Sequence, residues 1–259
     1  MPDSLLQGVG VLVTRPRAQA AELVAAIEQH GGTAFCFPVI EIAALDATAV
    51  SAAAADLPAP DIVIFISRNA VEYGLQYTSG SPVAVIGPAT AAAVEAAGHI
   101  VDIRSEAGYD SEHLLEEPEF QAVKGKEIRI IRGNTGRELL ANTLTERGAN
   151  VSYLSVYERR LPVVDAGTLA SLEARWRQGD IAIVTAMSVQ SLHNLVSLLP
   201  DWCRQQLETT PLVTPAGRVL QEALDLYPAS RPVLASGPQA HDMVQAIIAL
   251  QGTDSGHAP

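Results

Sequence analysis

Short apolar runs alternate with alanine-rich amphipathic stretches along the whole chain. The runs at 9–14, 33–37, 61–66, 83–86, 100–103, 127–131, 150–154, 180–185, 211–214 and 232–235 predict strands. The stretches at 17–30, 46–56, 69–77, 89–97, 110–121, 136–147, 166–178, 188–199, 217–225 and 239–251 predict helices. Most of the runs are continuously apolar, as strands are when helices cover both faces of a parallel sheet. Gly31, Gly98, Gly148 and Gly179 stand where helices should stop. The alternation predicts an α/β protein built on doubly wound parallel sheets with right-handed crossovers.

The pattern is stated twice. Val9-Gly-Val-Leu-Val-Thr-Arg and Glu127-Ile-Arg-Ile-Ile-Arg-Gly are both apolar strands that deliver an arginine and then open a helix. Arg15 and Arg132 lie 117 positions apart, as do Gly31 and Gly148. Asp61-Ile-Val-Ile-Phe-Ile resembles Asp180-Ile-Ala-Ile-Val-Thr, and Ile86-Gly-Pro-Ala-Thr resembles Val213-Thr-Pro-Ala-Gly. The shared order argues for two similar domains, and clefts between domains are where small molecules bind. The segments around 38–42 and 152–160 are extended and β-forming, so they suit chain crossings between domains. If both crossings are real, the first domain is discontinuous, 1–37 plus 161–259, with 43–151 inserted. Two tandem domains split near 123 are the alternative, which periodicity does not separate.

Composition narrows the class. At 259 residues the chain can bury a large core. No apolar run approaches the ~18 residues of a membrane span. The N-terminus lacks the basic and apolar regions of a secretory signal. Cys36 and Cys203 are the only cysteines, which is neither a disulfide framework nor a zinc site, and a cytoplasmic protein is expected. The net charge of −12 argues against nucleic acid, and no membrane partner is expected. No long apolar patch calls for a partner copy, so a monomer is the expectation. Residues 251–259 read as a tail.

The basic residues are unusual in kind, because 15 of 17 are arginine and several follow strands directly. Arginine forks bind carboxylate or phosphate well. Thr14-Arg15-Pro16, Ser67-Arg68-Asn69, Gly87-Pro88-Ala89-Thr90, Gly133-Asn134-Thr135-Gly136 and Ala186-Met187-Ser188 each place small or hydroxyl residues between a strand end and a helix start. Ordinary N-capping explains any one of them. Five facing one cleft, with arginine beside three, would suit a polyanion, since free helix-start amides attract negative charge. Tyr157, on the second crossing segment, is either a packed anchor or a hydroxyl donor. The six histidines show no paired ligand spacing, and no P-loop, complete dinucleotide fingerprint or Gly-x-Ser-x-Gly elbow occurs.

Several segments together resemble the uroporphyrinogen-III synthase family. They are Val11-Leu-Val-Thr-Arg-Pro, Phe65-Ile-Ser-Arg-Asn-Ala-Val, Ile86-Gly-Pro-Ala-Thr-Ala, Asp110-Ser-Glu-His-Leu-Leu, Ile131-Arg-Gly-Asn-Thr-Gly-Arg-Glu-Leu-Leu and Val156-Tyr-Glu-Arg-Arg. The resemblance implies two doubly wound α/β domains joined by a two-stranded connection, which favours the inserted arrangement, with a linear tetrapyrrole, hydroxymethylbilane, held between them by its eight carboxylates. It implies loss of the terminal hydroxyl as water, inversion of ring D through a spiro intermediate, and closure to uroporphyrinogen III. No cofactor and no metal are implied. Tyr157 resembles the family's tyrosine that assists hydroxyl departure. Ser67, Asn69, Gly87, Thr90, Gly133 and Ser188 resemble its carboxylate-contacting helix starts. Thr14, Arg15, Arg132 and Arg137 complete the expected substrate-binding set. The chain departs from the family pattern at Thr185-Ala186-Met187-Ser188 and in lacking a threonine that matches Thr90 in the Val213-Thr-Pro-Ala-Gly-Arg turn. A non-catalytic two-domain binder or regulator for a small polyanion is the competing expectation.

Overall fold

The structure is a computed structural model that describes residues 4–136 and 138–254, with the backbone alone for 252–254. Arg137, the N-terminal three residues and the end of the expected tail, 255–259, lie outside the described residues. The first elements are β1 (Gly10–Val13), α1 (Arg17–Gln29), β2 (Thr33–Cys36), β3 (Glu41–Ala44), α2 (Ala47–Ala55), β4 (Ile62–Phe65) and α3 (Arg68–Gly74). Next come β5 (Val83–Val85), α4 (Pro88–Ala96), β6 (Ile103–Arg104), α5 (Ser111–Glu116), β7 (Glu127–Gly133), α6 (Leu139–Glu146) and β8 (Asn150–Arg160). The chain ends with α7 (Ala166–Arg177), β9 (Ile183–Thr185), α8 (Val189–Leu198), α9 (Asp201–Gln206), β10 (Leu212–Thr214), α10 (Gly217–Leu226), β11 (Pro232–Leu234) and α11 (Ala240–Asp254).

These elements form two compact units, one built from the chain up to Glu41 and from Arg160 onward, the other from Ile42–Arg159. The sheet of the first runs β11-β10-β9-β1-β2, and all four pairings are parallel. The other sheet runs β3-β8-β7-β4-β5-β6, with parallel pairs from β8 through to β6. Leaving β3 aside, the two orders coincide: β2-β1-β9-β10-β11 matches β8-β7-β4-β5-β6. The segments that resemble each other in sequence therefore occupy equivalent strands.

Alternation along each strand sends successive side chains to opposite faces. In the first sheet Leu12 and Val184 pack with Leu172, Leu192 and Val219. Val11, Val13, Ile183 and Val213 pack on the other face with Leu23, Ile27 and Met243. In the second sheet Ile62, Ile64, Ile128 and Ile130 meet Leu114, Leu140 and Leu144 on one face. Val63, Phe65 and Ile131 meet Val50, Val71 and Val94 on the other. Covered faces on both sides explain why the strands read as unbroken apolar runs.

Four elements differ from expectation. Residues 41–44 are a sheet strand, β3, and not only a crossing segment. β8 carries on for 11 residues where 150–154 was expected: β7 partners it from Asn150 to Tyr157, and β3 lies on its other edge. α9 was not expected; six residues of mixed polarity carry too little periodicity to be read. The strand expected at 100–103 lies at Ile103–Arg104. Among the described residues no helix is long and apolar enough to cross a membrane.

Candidate functional site

In a doubly wound sheet the connections leave the carboxyl ends of neighbouring strands in opposite directions at one point, and a crevice opens there. In the Ile42–Arg159 unit that point is between β4 and β7, since the chain runs outward through β5 and β6 and returns on the other side through β7 and β8. Ser67 follows β4, Gly133 ends β7 and Tyr157 lies near the end of β8. The Tyr157 hydroxyl is 3.1 Å from Ser67 Oγ, and Ser67 Oγ also accepts from the Ala70 amide at 3.1 Å as the cap of α3.

The reach of Tyr157 has two local causes. Gly133 pairs with Tyr157 although Arg132 pairs with Ser155, so the ladder skips Val156. Such a bulge re-aims the following side chain; Val156 and Tyr157 are both buried in the same apolar cluster. The strands β8, β7 and β4 stand about 4.8 Å apart each, so the ring must pass over the end of β7 to meet Ser67. Gly133 makes this passage possible, because a Cβ there would lie 2.7 Å from the Tyr157 ring. Tyr157 is only 3% exposed, and its ring tilts against Tyr73 at 6.1 Å between centroids.

Arg132 points to the opposite face. It is 5% exposed, and its Nη1 donates to Glu138 Oε1 at 3.1 Å. The guanidinium lies over the Tyr153 ring, 4.4 Å from its centroid, and the Tyr153 hydroxyl donates to Glu138 Oε2 at 2.6 Å. These two donors hold the Glu138 carboxyl below the usual range, the tyrosine bond being the larger cause. Burial, and then the bond to Glu138, push the Tyr153 phenol up to about 12.

Gly87 adopts φ +80°, a conformation open mainly to glycine, and turns the end of β5 into α4. Thr90 is buried one turn into that helix, and Asn69 is half-buried in the first turn of α3. In the other unit the equivalent crossover point lies between β1 and β9. Thr14 Oγ1 donates to the Thr185 carbonyl at 2.6 Å, and Thr185 Oγ1 returns a bond to the Leu12 carbonyl at 3.1 Å. Ser188 caps α8 in a reciprocal box with Ser191. Arg15 Nη1 lies 3.5 Å from the Pro238 carbonyl.

The two units also match in how their helices start. Ser67 caps α3 and Ser188 caps the equivalent α8. No side chain caps α4 or its equivalent α10, nor α6 or its equivalent α1. Uncapped helix starts leave amides that favour an anion.

Ser67, Asn69, Gly87, Thr90, Arg132, Gly133 and Tyr157 fall in the Ile42–Arg159 unit, and Thr14, Arg15 and Ser188 in the other. Glu138, Tyr153, Thr185 and Ser191 were not singled out from the sequence. The signal for Glu138 was its place six residues after a strand-end arginine. A cavity of about 530 Å³ beside β2 and α7, lined by Leu12, Phe35, Cys36 and Leu172 among others, contains none of the expected site residues. Among the described residues no group of three or more His, Cys, Asp or Glu side chains could hold a metal ion.

The family model described as uroporphyrinogen-III synthase HemD matches residues 21–245. A uroporphyrinogen-III synthase of Salmonella typhimurium is 35% identical over 207 residues, covering 76% of this chain and 82% of that protein. Its counterpart in Escherichia coli is 31% identical over 206 residues, with the same two shares, 76% and 82%. A crystal structure of uroporphyrinogen-III synthetase from Helicobacter pylori, 14% identical, superposes with a TM-score of 0.61 over 93% of this chain and 99% of that one, a likeness of fold alone. With the model covering most of the chain and these relatives matching over most of their length, the chain belongs to the uroporphyrinogen-III synthase family.

Proposed function

We propose that the protein cyclises hydroxymethylbilane to uroporphyrinogen III, with loss of water and inversion of ring D. Family membership supports the reaction, and the observation that carries the site is the Tyr157–Ser67 contact at the β4/β7 crossover. A substrate hydroxyl arriving at this edge competes with Ser67 Oγ for the phenol proton. That donation helps the carbon–oxygen bond break and water leave, and an azafulvene cation remains. Ring D then inverts through a spiro intermediate, and a proton is lost as the macrocycle closes. Folding of the chain and grip on its carboxylates carry most of the catalysis.

The carboxylates are taken by the helix starts at Ser67, Asn69, Gly87, Thr90 and Gly133, and by Thr14, Arg15 and Ser188 in the other unit. Arg132 and Arg137 complete the proposed binding set. The protein acts as a cytoplasmic monomer that does not bind nucleic acid, in keeping with its net charge of −12. Freshly made hydroxymethylbilane tests the reading: the protein should yield isomer III above the spontaneous isomer I background. Isomer I alone would overturn it in favour of a non-catalytic binder. Tyr157→Phe should lower turnover by about tenfold or more while weakening product binding less. Turnover equal to wild type would remove Tyr157 from the mechanism.

A further inference from the structure

The Gly133–Gly136 turn carries part of the proposed carboxylate grip, yet among the described residues no side chain caps the helix that follows it. Something else must hold this turn in place, and the structure shows what does. A Cβ on Gly136 would lie 2.8 Å from Arg132 Nη2, so the turn's backbone rests directly on the guanidinium. The Tyr153 ring supports the guanidinium at 4.4 Å. Glu138, just beyond the turn, closes the arrangement with one carboxylate oxygen on Arg132 and the other on the Tyr153 hydroxyl.

A guanidinium this buried needs its charge balanced, and leaving it without a partner would be costly. Both Glu138 oxygens are engaged, and Glu138 is the carboxylate that pairs with Arg132. Ionic and aromatic contacts together fix the plane of the guanidinium. The turn that lies on that plane inherits its position.

We propose that Arg132, Glu138 and Tyr153 form a latch that positions the Gly133–Gly136 turn, so that its backbone rather than the Arg132 side chain receives a substrate carboxylate. The three are positioning residues. This rests on the reading that the same edge takes up hydroxymethylbilane. It also separates two roles for Arg132. An arginine waiting for a substrate carboxylate would be released by removal of Glu138, and binding would tighten. An arginine serving as a foundation would lose its partner, and the turn would drift.

Steady-state kinetics on Glu138→Gln and Tyr153→Phe test the latch. Glu138→Gln should raise KM by about tenfold, the loss of one charged hydrogen bond, with kcat falling less than KM rises. Tyr153→Phe removes a single hydroxyl and keeps the ring, so it should fold as wild type does and raise KM by a smaller factor. The double variant should resemble Glu138→Gln alone, because the hydroxyl acts through Glu138. An unchanged or lowered KM in both single variants overturns the latch. A substrate-free reading comes from NMR titration of the Tyr153 ring. In wild type its midpoint should be pushed up to about 12, and in Glu138→Gln it should fall. An unmoved midpoint overturns the latch even if the protein proves to make no isomer III, so the two failures are told apart.

Discussion

Gly133 shows how much one absent side chain can decide. Tyr157 meets Ser67 only by passing over the last residue of β7, where a Cβ would lie 2.7 Å from the ring. Gly133→Ala sets two effects against each other. Reduced freedom of the unfolded chain favours the variant by about 0.4–1 kcal/mol. Overpacking a buried ring costs about 1–3 kcal/mol, and the ring sits in a closed cluster with Phe65, Val71 and Ile131, so the cost should win. The variant should show a lower denaturant midpoint, a displaced Tyr157 and slower turnover. Wild-type stability together with wild-type turnover would mean that the ring has room to spare.

At the scale of elements, the start of α5 joins a cap to a titration. Asp110 accepts from the His113 amide at 2.9 Å and from its ring Nδ1 at 2.6 Å. The bond to Asp110 is the main cause that raises the His113 pKa above its ordinary value. The stabilisation from this pair is therefore complete below about pH 6.5, the unfolded value, and fades as pH rises through the higher folded value. Asp110→Asn should lower the midpoint of the His113 ring titration seen by NMR; an unaltered midpoint would assign the shift to another group. The helix start near residue 110 was legible in the sequence, although the helix ends at Glu116 and not at 121. The core strands were legible too: β1, β4 and β9 are short, mostly apolar stretches, β7 carries Ile128, Ile130 and Ile131 between its charged residues, and their pairwise likeness anticipated equivalent places in the two sheets. The site was legible only as strand ends and helix starts. The bulge at Val156 depends on the partner strand's register, which no local period records. Glu138 reads as one more helix-start acid until β8 is laid beside β7 and Tyr153 comes into reach.

For the whole molecule, the decisive arrangement is that each of the four apolar clusters lies within one unit. The two clusters of the second sheet draw only on residues between Ile42 and Tyr157. The other two draw on residues up to Ile40 together with residues from Val164 onward. One unit is therefore a continuous piece of chain carrying its entire core, whereas the other depends on two pieces far apart in sequence. A fragment spanning 41–160 keeps β3 beside β8 and retains the paired bonds from Arg160 to Glu41, both 3.0 Å. That pair is exposed and contributes little, so apolar burial must carry the fold. Such a length lies within the range of independently folding domains. The fragment should therefore unfold in one cooperative denaturant transition, with dispersed amide resonances beforehand. Residues 1–40 alone should show neither, because β1 would keep α1 on one face but lack β9, α11 and the helices α7, α8 and α10 that cover its other face. A collapsed 41–160 fragment without a cooperative transition would show that its two closed clusters do not suffice to hold the sheet.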